Sequence, residues 1–228
     1  MIPNHNGARW LRGVLDSVAA QTAAPSAASV ATKLVDLEDP THLYDAGDVL
    51  RRDGVCEQRG RFERDDGRFD EPGEVFSACA GAALYRRGAV LDVGGFDERF
   101  FLYLEDVDLG LRLRLAGWRC RYEPVVARHA GEGSAPEDGR AAWTWVERNT
   151  LLLAAKAFPA RWAPQVLYRQ AGWAWHALRE RRLRAHLSGA VRALPLLAAM
   201  VRERRRLRTR AAIPVDELVP ALPIRRRR

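Results

Sequence analysis

The sequence has little cysteine and no long apolar run. Its three cysteines, Cys56, Cys79 and Cys120, share no metal-type spacing and cannot all pair, which argues against a disulfide framework or a zinc site and favours a reducing compartment. No apolar stretch approaches the roughly 18 residues that a spanning helix needs; the best, around Leu194 to Val201, is short and follows Arg192. A basic-then-apolar leader is missing too, so the expectation is a protein neither exported by such a signal nor integral to a membrane. Helix-turn-helix, zinc-finger and RNP-type aromatic patterns are absent, and no nucleic-acid partner is expected despite the basic charge.

What is present is ordinary globular material, 47% apolar and 29% charged over 228 residues, enough for one good core. The net charge of +8 is unevenly spread. From Ala141 onward there are 19 Lys+Arg against 5 Asp+Glu, and before it 18 against 24. The asymmetry predicts an acidic module over 1–140 and a basic helical module over 141–228, the latter seeking an anionic partner.

The stretch GGFDERFFLYLEDVDLGLRLRLAG, from Gly94 to Gly117, organises the rest. Leu104, Val107, Leu111 and Leu115 recur with the spacing of one buried helical stripe, and Gly117 supplies a stop. Glu105, Asp106 and Asp108 therefore fall in a first helical turn. Acids there complement the helix dipole, and Asp108 with Arg112 makes an ordinary i,i+4 pair. A glycine turn and an aromatic loop ahead of the helix nevertheless deliver the carboxylates to a rim, where a base must stand to reach a substrate hydroxyl.

On these residues the chain resembles the family 2 glycosyltransferases, and within them the rhamnosyltransferase-like branch that decorates polysaccharides and lipid-linked sugars. The turn Gly94-Gly95-Phe96-Asp97-Glu98, then Phe101-Leu102-Tyr103 and Glu105-Asp106-Val107-Asp108-Leu109 through Arg112, matches the family's acceptor-side motif. The resemblance implies an α/β fold of the GT-A, Rossmann-like type and an inverting transfer from a nucleotide-sugar donor to a saccharide or lipid-linked acceptor. It makes Asp106 the base, with Glu105 as runner-up. It places Gly95, Phe96, Asp97 and Asp108 on the acceptor side, Gly81 and Ala82 on the cleft floor, and Pro3 and Asn4 against the nucleotide. His129, a couple of dozen residues beyond Asp106, would complete the coordination of a divalent cation, Mg²⁺ or Mn²⁺.

Two departures from the family pattern are expected. Met1 stands where the end of the first strand should be, and the passage after Thr22 lacks the strands and the Asp-x-Asp that would hold the cation. By that register the fold is an incomplete GT-A unit with its donor half reduced and its activity doubtful. A rival register makes Asp36-Leu37-Glu38-Asp39 a substitute metal site, although acids before a proline usually form solvated turns. A non-catalytic remnant that keeps the acceptor surface remains the alternative, and a basic nucleic-acid-associated protein the third.

For the remaining elements, Val49 to Gly73 reads as a charged surface loop or hairpin with a turn at Asp65-Asp66-Gly67. Val75 to Leu84 reads as buried strand, Arg87 to Val93 as a short helix and Trp118 to Val126 as a half-exposed strand. Beyond Trp143, tryptophans and arginines on amphipathic helices predict a peripheral protein on the cytoplasmic face of the cell membrane.

Overall fold

The structure is a computed structural model, and it describes residues 26–130 and 140–220. Its axis is a ten-residue strand, β1 (Ala27–Asp36). The sequence AASVATKLVD does not alternate: small and apolar side chains point to both faces, which suits a strand covered on both sides. The one ammonium in it, Lys33, is buried and held by Asp65 at 2.6 Å and by Asp70.

Sheet order follows from β1. β2 (Leu43–Asp45) pairs antiparallel with its far half, Leu34 opposite Asp45. β6 (Ala83–Tyr85) pairs antiparallel with its near half, Val30 opposite Leu84. On the other edge β7 (Arg119–His129) runs parallel, bringing His129 opposite Asp36. β5 (Gly73–Val75) closes the sheet antiparallel to β7. A separate hairpin, β3 (Asp48–Leu50) with β4 (Cys56–Gln58), leaves the end of β2 within the segment expected as a surface loop.

The run from Val75 to Leu84 is less regular than its composition predicts. Only its ends are strand, one in β5 and one in β6. Because those ends pair with different neighbours, β7 and β1, the middle crosses between them through a 3-10 turn at Ala80–Ala82. The short helix is present as α1 (Arg87–Asp92).

α2 (Glu105–Leu115) is the helix predicted from periodicity, stopped by Gly117 at φ 91°. It buries more than the one stripe. Val107, Leu111 and Leu115 face a large apolar cluster with Leu152, Leu153, Trp162 and Met200, while Leu109 and Leu113 face Ala28 and Ala89. The helix is thus sandwiched between the β1 side and the C-terminal helices, which a single-stripe reading cannot reveal. Closest approach comes at Gly110, where a Cβ would sit 2.4 Å from the Ser77 Cβ.

The C-terminal helices are α3 (Arg140–Ala157), α4 (Ala163–Arg179), α5 (Leu183–Arg210) and the short α6 (Val215–Leu218). α3 and α5 pack along each other, with Gly189 admitting the Thr144 carbonyl where a Cβ would be 2.4 Å away. The largest apolar cluster draws on both sides of residue 140, from Leu50 and Phe100 through Leu153 to Val219. Among the described residues no helix is long and apolar enough to cross a membrane.

Candidate active site

The site is built on the strap between α1 and α2. Gly94 and Gly95 open it at φ 88° and 72°, angles that glycine takes without strain. Asp97 then turns inward. Its carboxylate accepts hydrogen bonds from Arg99 Nε and Lys156 Nζ, both at 2.7 Å. Lys156 Nζ lies 2.6 Å from Asp108 Oδ1, an ion-pair contact without hydrogen-bond alignment, and Asp108 Oδ2 accepts from Arg112 Nε at 2.8 Å. Burial works against an ionised Asp97, yet Arg99 and Lys156 hold its carboxyl well below the usual range. Two motif acids predicted on the acceptor side, half-buried Asp97 and fully buried Asp108, tie the strap to α2 through a lysine from α3.

Past Arg99 the strap is strained. Phe101, Tyr103 and Leu104 all have positive φ, 61°, 67° and 64°, without being glycine. A fully buried amide compensates. Asn149 Nδ2 donates to the carbonyls of Phe100 (2.8 Å), Leu102 (2.8 Å) and Tyr103 (2.7 Å), while Arg148 Nη1 donates to the Arg99 carbonyl at 2.8 Å. Phe100 plugs the core, Phe101 is left in solvent, and Phe96 meets the Tyr85 ring edge-on at 5.9 Å. The left-handed Leu104 turns the chain so that α2 begins with Glu105 and Asp106.

Asp106 is half-buried as a residue, at the N-terminus of α2. Oδ2 accepts from the Ala80 N–H at 2.9 Å and Oδ1 from the Val107 N–H at 2.8 Å. Burial raises its pKa and those two donors restrain the rise. Burial, then the Asp106 charge, pushes Glu105 up to about 7.

Behind Asp106 lie two further acids. Asp45 is raised to about 7 by burial and by Asp106, and its Oδ1 has no hydrogen-bond partner. Asp48 is raised well above the usual range by burial and by Asp45; the Ser77 hydroxyl donates to its Oδ2 at 2.7 Å. Burial also keeps the Cys56 and Cys79 thiols protonated.

The floor is the Ala80–Ala82 turn, pinned by the Thr32 hydroxyl, which donates to the Ala82 carbonyl at 2.8 Å. Gly81 has a steric reason: a Cβ there would lie 2.6 Å from the His129 ring. One turn thus links two predicted site residues, Asp106 through the Ala80 N–H and His129 through Gly81. His129 also stacks on Tyr44 with centroids 4.2 Å apart, and burial and Arg61 lower its pKa, favouring the neutral imidazole at neutral pH. Pro3 and Asn4 lie outside the described residues.

The strap, α2, the Ala80–Ala82 turn, Asn149 and Lys156 lie within the stretch that comparison with known proteins assigns, whereas Thr32, Tyr44, Asp45 and Asp48 precede it. The profile of the glycosyl transferase family group 2 matches residues 61–203, well over half of the chain. The chain belongs to that family. Among curated relatives, N-acetylglucosaminyl-diphospho-decaprenol L-rhamnosyltransferase of Mycobacterium tuberculosis is 63% identical over 41 residues, 18% of this chain and 13% of that protein. Rhamnosyltransferase WbbL of Escherichia coli K12 is 51% identical over 52 residues, 22% of this chain and 20% of that protein. The pre-mycofactocin glycosyltransferase of M. tuberculosis is 34% identical over 122 residues, 50% of this chain and 23% of that protein. Each match spans less than a quarter of the relative's own length.

Family 2 glycosyltransferases usually use a divalent cation, so the donor set of this one matters. Among the described residues no three His, Cys, Asp or Glu side chains come together as ligands. His129 stands beside Tyr44, Gly81 and the Arg61 charge, whereas Mg²⁺ and Mn²⁺ want several oxygens. Nor does Asp36 assemble a substitute site: its Oδ1 accepts the backbone N–H groups of Glu38 and Asp39, as in a turn before a proline. The described residues do not fit the cation.

Sequence reading missed Asn149, Lys156, Asp45, Asp48 and Ser77. One signal was available. The chain has only two lysines among its 37 basic residues, Lys33 and Lys156, and both are buried between two carboxylates. A compact ammonium fits such a site where a guanidinium would not.

Proposed function

We propose that this family 2 glycosyltransferase carries out an inverting transfer with Asp106 as the base. The carboxylate takes the proton from an acceptor hydroxyl as that oxygen bonds to the anomeric carbon of a nucleotide-sugar. The bond from that carbon to the nucleoside diphosphate breaks, and attack opposite the leaving group inverts configuration. The observation that carries this reading is the half-buried Asp106 carboxylate, whose two oxygens are oriented by the Ala80 and Val107 N–H groups at the end of the strap. Glu105, raised to about 7, would share protons with it. Gly95, Phe96, Gly81 and Ala82 would frame the acceptor, and Asp97 and Asp108 would act by positioning the strap. His129 would serve a cation only with oxygen ligands from elsewhere, and no step here is routed through one.

The relatives' names suggest a deoxyhexose donor and a saccharide or lipid-linked acceptor. Incubation with nucleotide-activated rhamnose and other nucleotide-sugars, with products read by mass spectrometry and donor binding by calorimetry, tests the reading. Product with inverted configuration is expected. No binding of any donor would overturn it in favour of a non-catalytic relative.

We also propose that the α4–α5 hairpin lies on an anionic membrane surface. Tyr168 (82% exposed), Trp175 (63%) and Leu178 fall on one outward stripe of α4, and Leu187, Val191 and Leu194 on one of α5. Arg179, Arg181, Arg182 and Arg184 gather at the bend between them. Apolar rings at headgroup depth with basic residues beside them suit an interfacial helix pair. Flotation with anionic liposomes at low and high salt checks this; a protein that stays in solution under both conditions excludes it.

A further inference from the structure

A cavity of about 240 Å³ lies between the β3–β4 hairpin and helices α3, α4 and α5. Its walls are mainly apolar: Trp143 and Val146 from α3, Trp173 from α4, Leu104 from the strap and Cys56 from β4. One corner is polar. There Glu147, only 6% exposed, has its Oε2 3.3 Å from His186 Nδ1 and 2.7 Å from the Gln170 amide nitrogen, which donates to it.

Protein interiors hold few voids larger than a water molecule, and an apolar one of about 150 Å³ is enough to take up benzene. Thr150 and Arg169 add polar groups to the lining, but the larger part of it is apolar and suits a hydrocarbon. Its position says which one. Leu104 immediately precedes Glu105, and the charges of Asp48 and Asp106 act on the Cys56 thiol. The cavity therefore lies beside the proposed base and its acid cluster.

We infer that this cavity receives the apolar end of an amphipathic acceptor, a branched or aromatic hydrocarbon group of roughly ten carbons by comparison with the benzene-sized void. The inference rests on the reading of Asp106 as the acceptor-side base. The sugar hydroxyl of such an acceptor would reach toward Asp106 while its hydrocarbon lies against Trp143 and Trp173, whose rings meet edge to face with centroids 5.8 Å apart.

Geraniol, an uncharged ten-carbon branched alcohol, serves as the probe on the whole chain, with tryptophan emission as the readout. The expected result is a saturable one-to-one change, with affinity lowered at least tenfold by Val146→Phe and by Ala142→Leu, which fill the cavity. Trp175→Ala, on the outward stripe, should leave it unchanged. Geranyl glucoside should bind at least tenfold tighter than methyl glucoside. If the filled variants do not fold, hydrogen exchange on the unmodified protein replaces them, with geraniol expected to protect residues 142–150 and 169–173. No saturable change, a change that both folded variants leave intact, equal binding of the two glucosides or no protection overturns the inference. None of these readouts requires sugar transfer. A chain that binds geraniol but no nucleotide-sugar sinks the transferase reading, and one that transfers sugar but binds no geraniol sinks this one.

Discussion

Replacing Asn149 by alanine should loosen the strap that presents Glu105 and Asp106, and the structure sets the size of the effect. The two N–H groups of one buried amide are shared among three carbonyls at 2.7 to 2.8 Å. A hydrogen bond of this kind contributes about 1 kcal/mol net, and a buried carbonyl left without a donor costs roughly 1–3 kcal/mol. Against this stand three left-handed non-glycine residues at roughly 1–2 kcal/mol each, strain that the strap sheds once released. Loss of the amide therefore costs about 2–4 kcal/mol, part of it recovered as the strap relaxes. Asn149→Ala should lower the urea midpoint by the equivalent of roughly 2 kcal/mol with an unchanged slope. Asn149→Asp should be worse, since an ionised carboxylate would face three acceptors. A change within about 0.5 kcal/mol for alanine, the range of ordinary surface substitutions, would refute the reasoning.

Lys156→Met should destabilise by about 3–5 kcal/mol in the same assay, because it leaves Asp97 and Asp108 buried without their shared cation; a loss under about 1 kcal/mol would count against the network. Gly110→Ala puts a Cβ 2.4 Å from Ser77 and should cost about 1–3 kcal/mol, read from the melting midpoint, with a neutral result contradicting the close approach. Burial raises Glu147 to about 7, so the native state keeps a proton that the unfolded chain releases near its ordinary value, and this contribution is lost as pH rises from about 4.5 through 7. Glu147→Gln should accordingly gain stability over the parent at pH 8 and little at pH 5; the reverse order would show that the carboxyl is ionised in the fold. Tyr168→Glu combined with Trp175→Glu should abolish flotation with anionic liposomes, and unchanged flotation would move the contact off the α4 stripe.

The sequence made parts of this site legible because local pattern and function coincide there. Glu105 onward reads as a helix from periodicity with a glycine stop at Gly117, and Trp118 to Val126 as a strand from alternation; the helix is in place over Glu105–Leu115, and the strand runs on from Arg119 to His129. β1 was harder, because a strand covered on both faces has no period to detect. The pairing of Asp97 and Asp108 through Lys156 is illegible because nothing nearby in the chain announces a lysine 59 residues beyond Asp97. Asn149 is illegible for the same reason: its three acceptors lie 46 to 49 residues away, and an asparagine within an apolar helical run carries no local signal. Asp45 and Asp48 flank Ala46 and Gly47 with no local pattern to single them out, and the fold buries both near Asp106.

Asp106→Asn tests the central claim most directly. The substitution keeps the shape and one of the two backbone N–H contacts while removing the basicity, so the protein should stay folded and nucleotide-sugar binding should hold. Sugar transfer from the donor that calorimetry identifies should fall by about 10²–10⁴, the usual worth of a positioned base. Transfer that continues at the parental rate in Asp106→Asn, with Glu105→Gln equally active, would contradict the account.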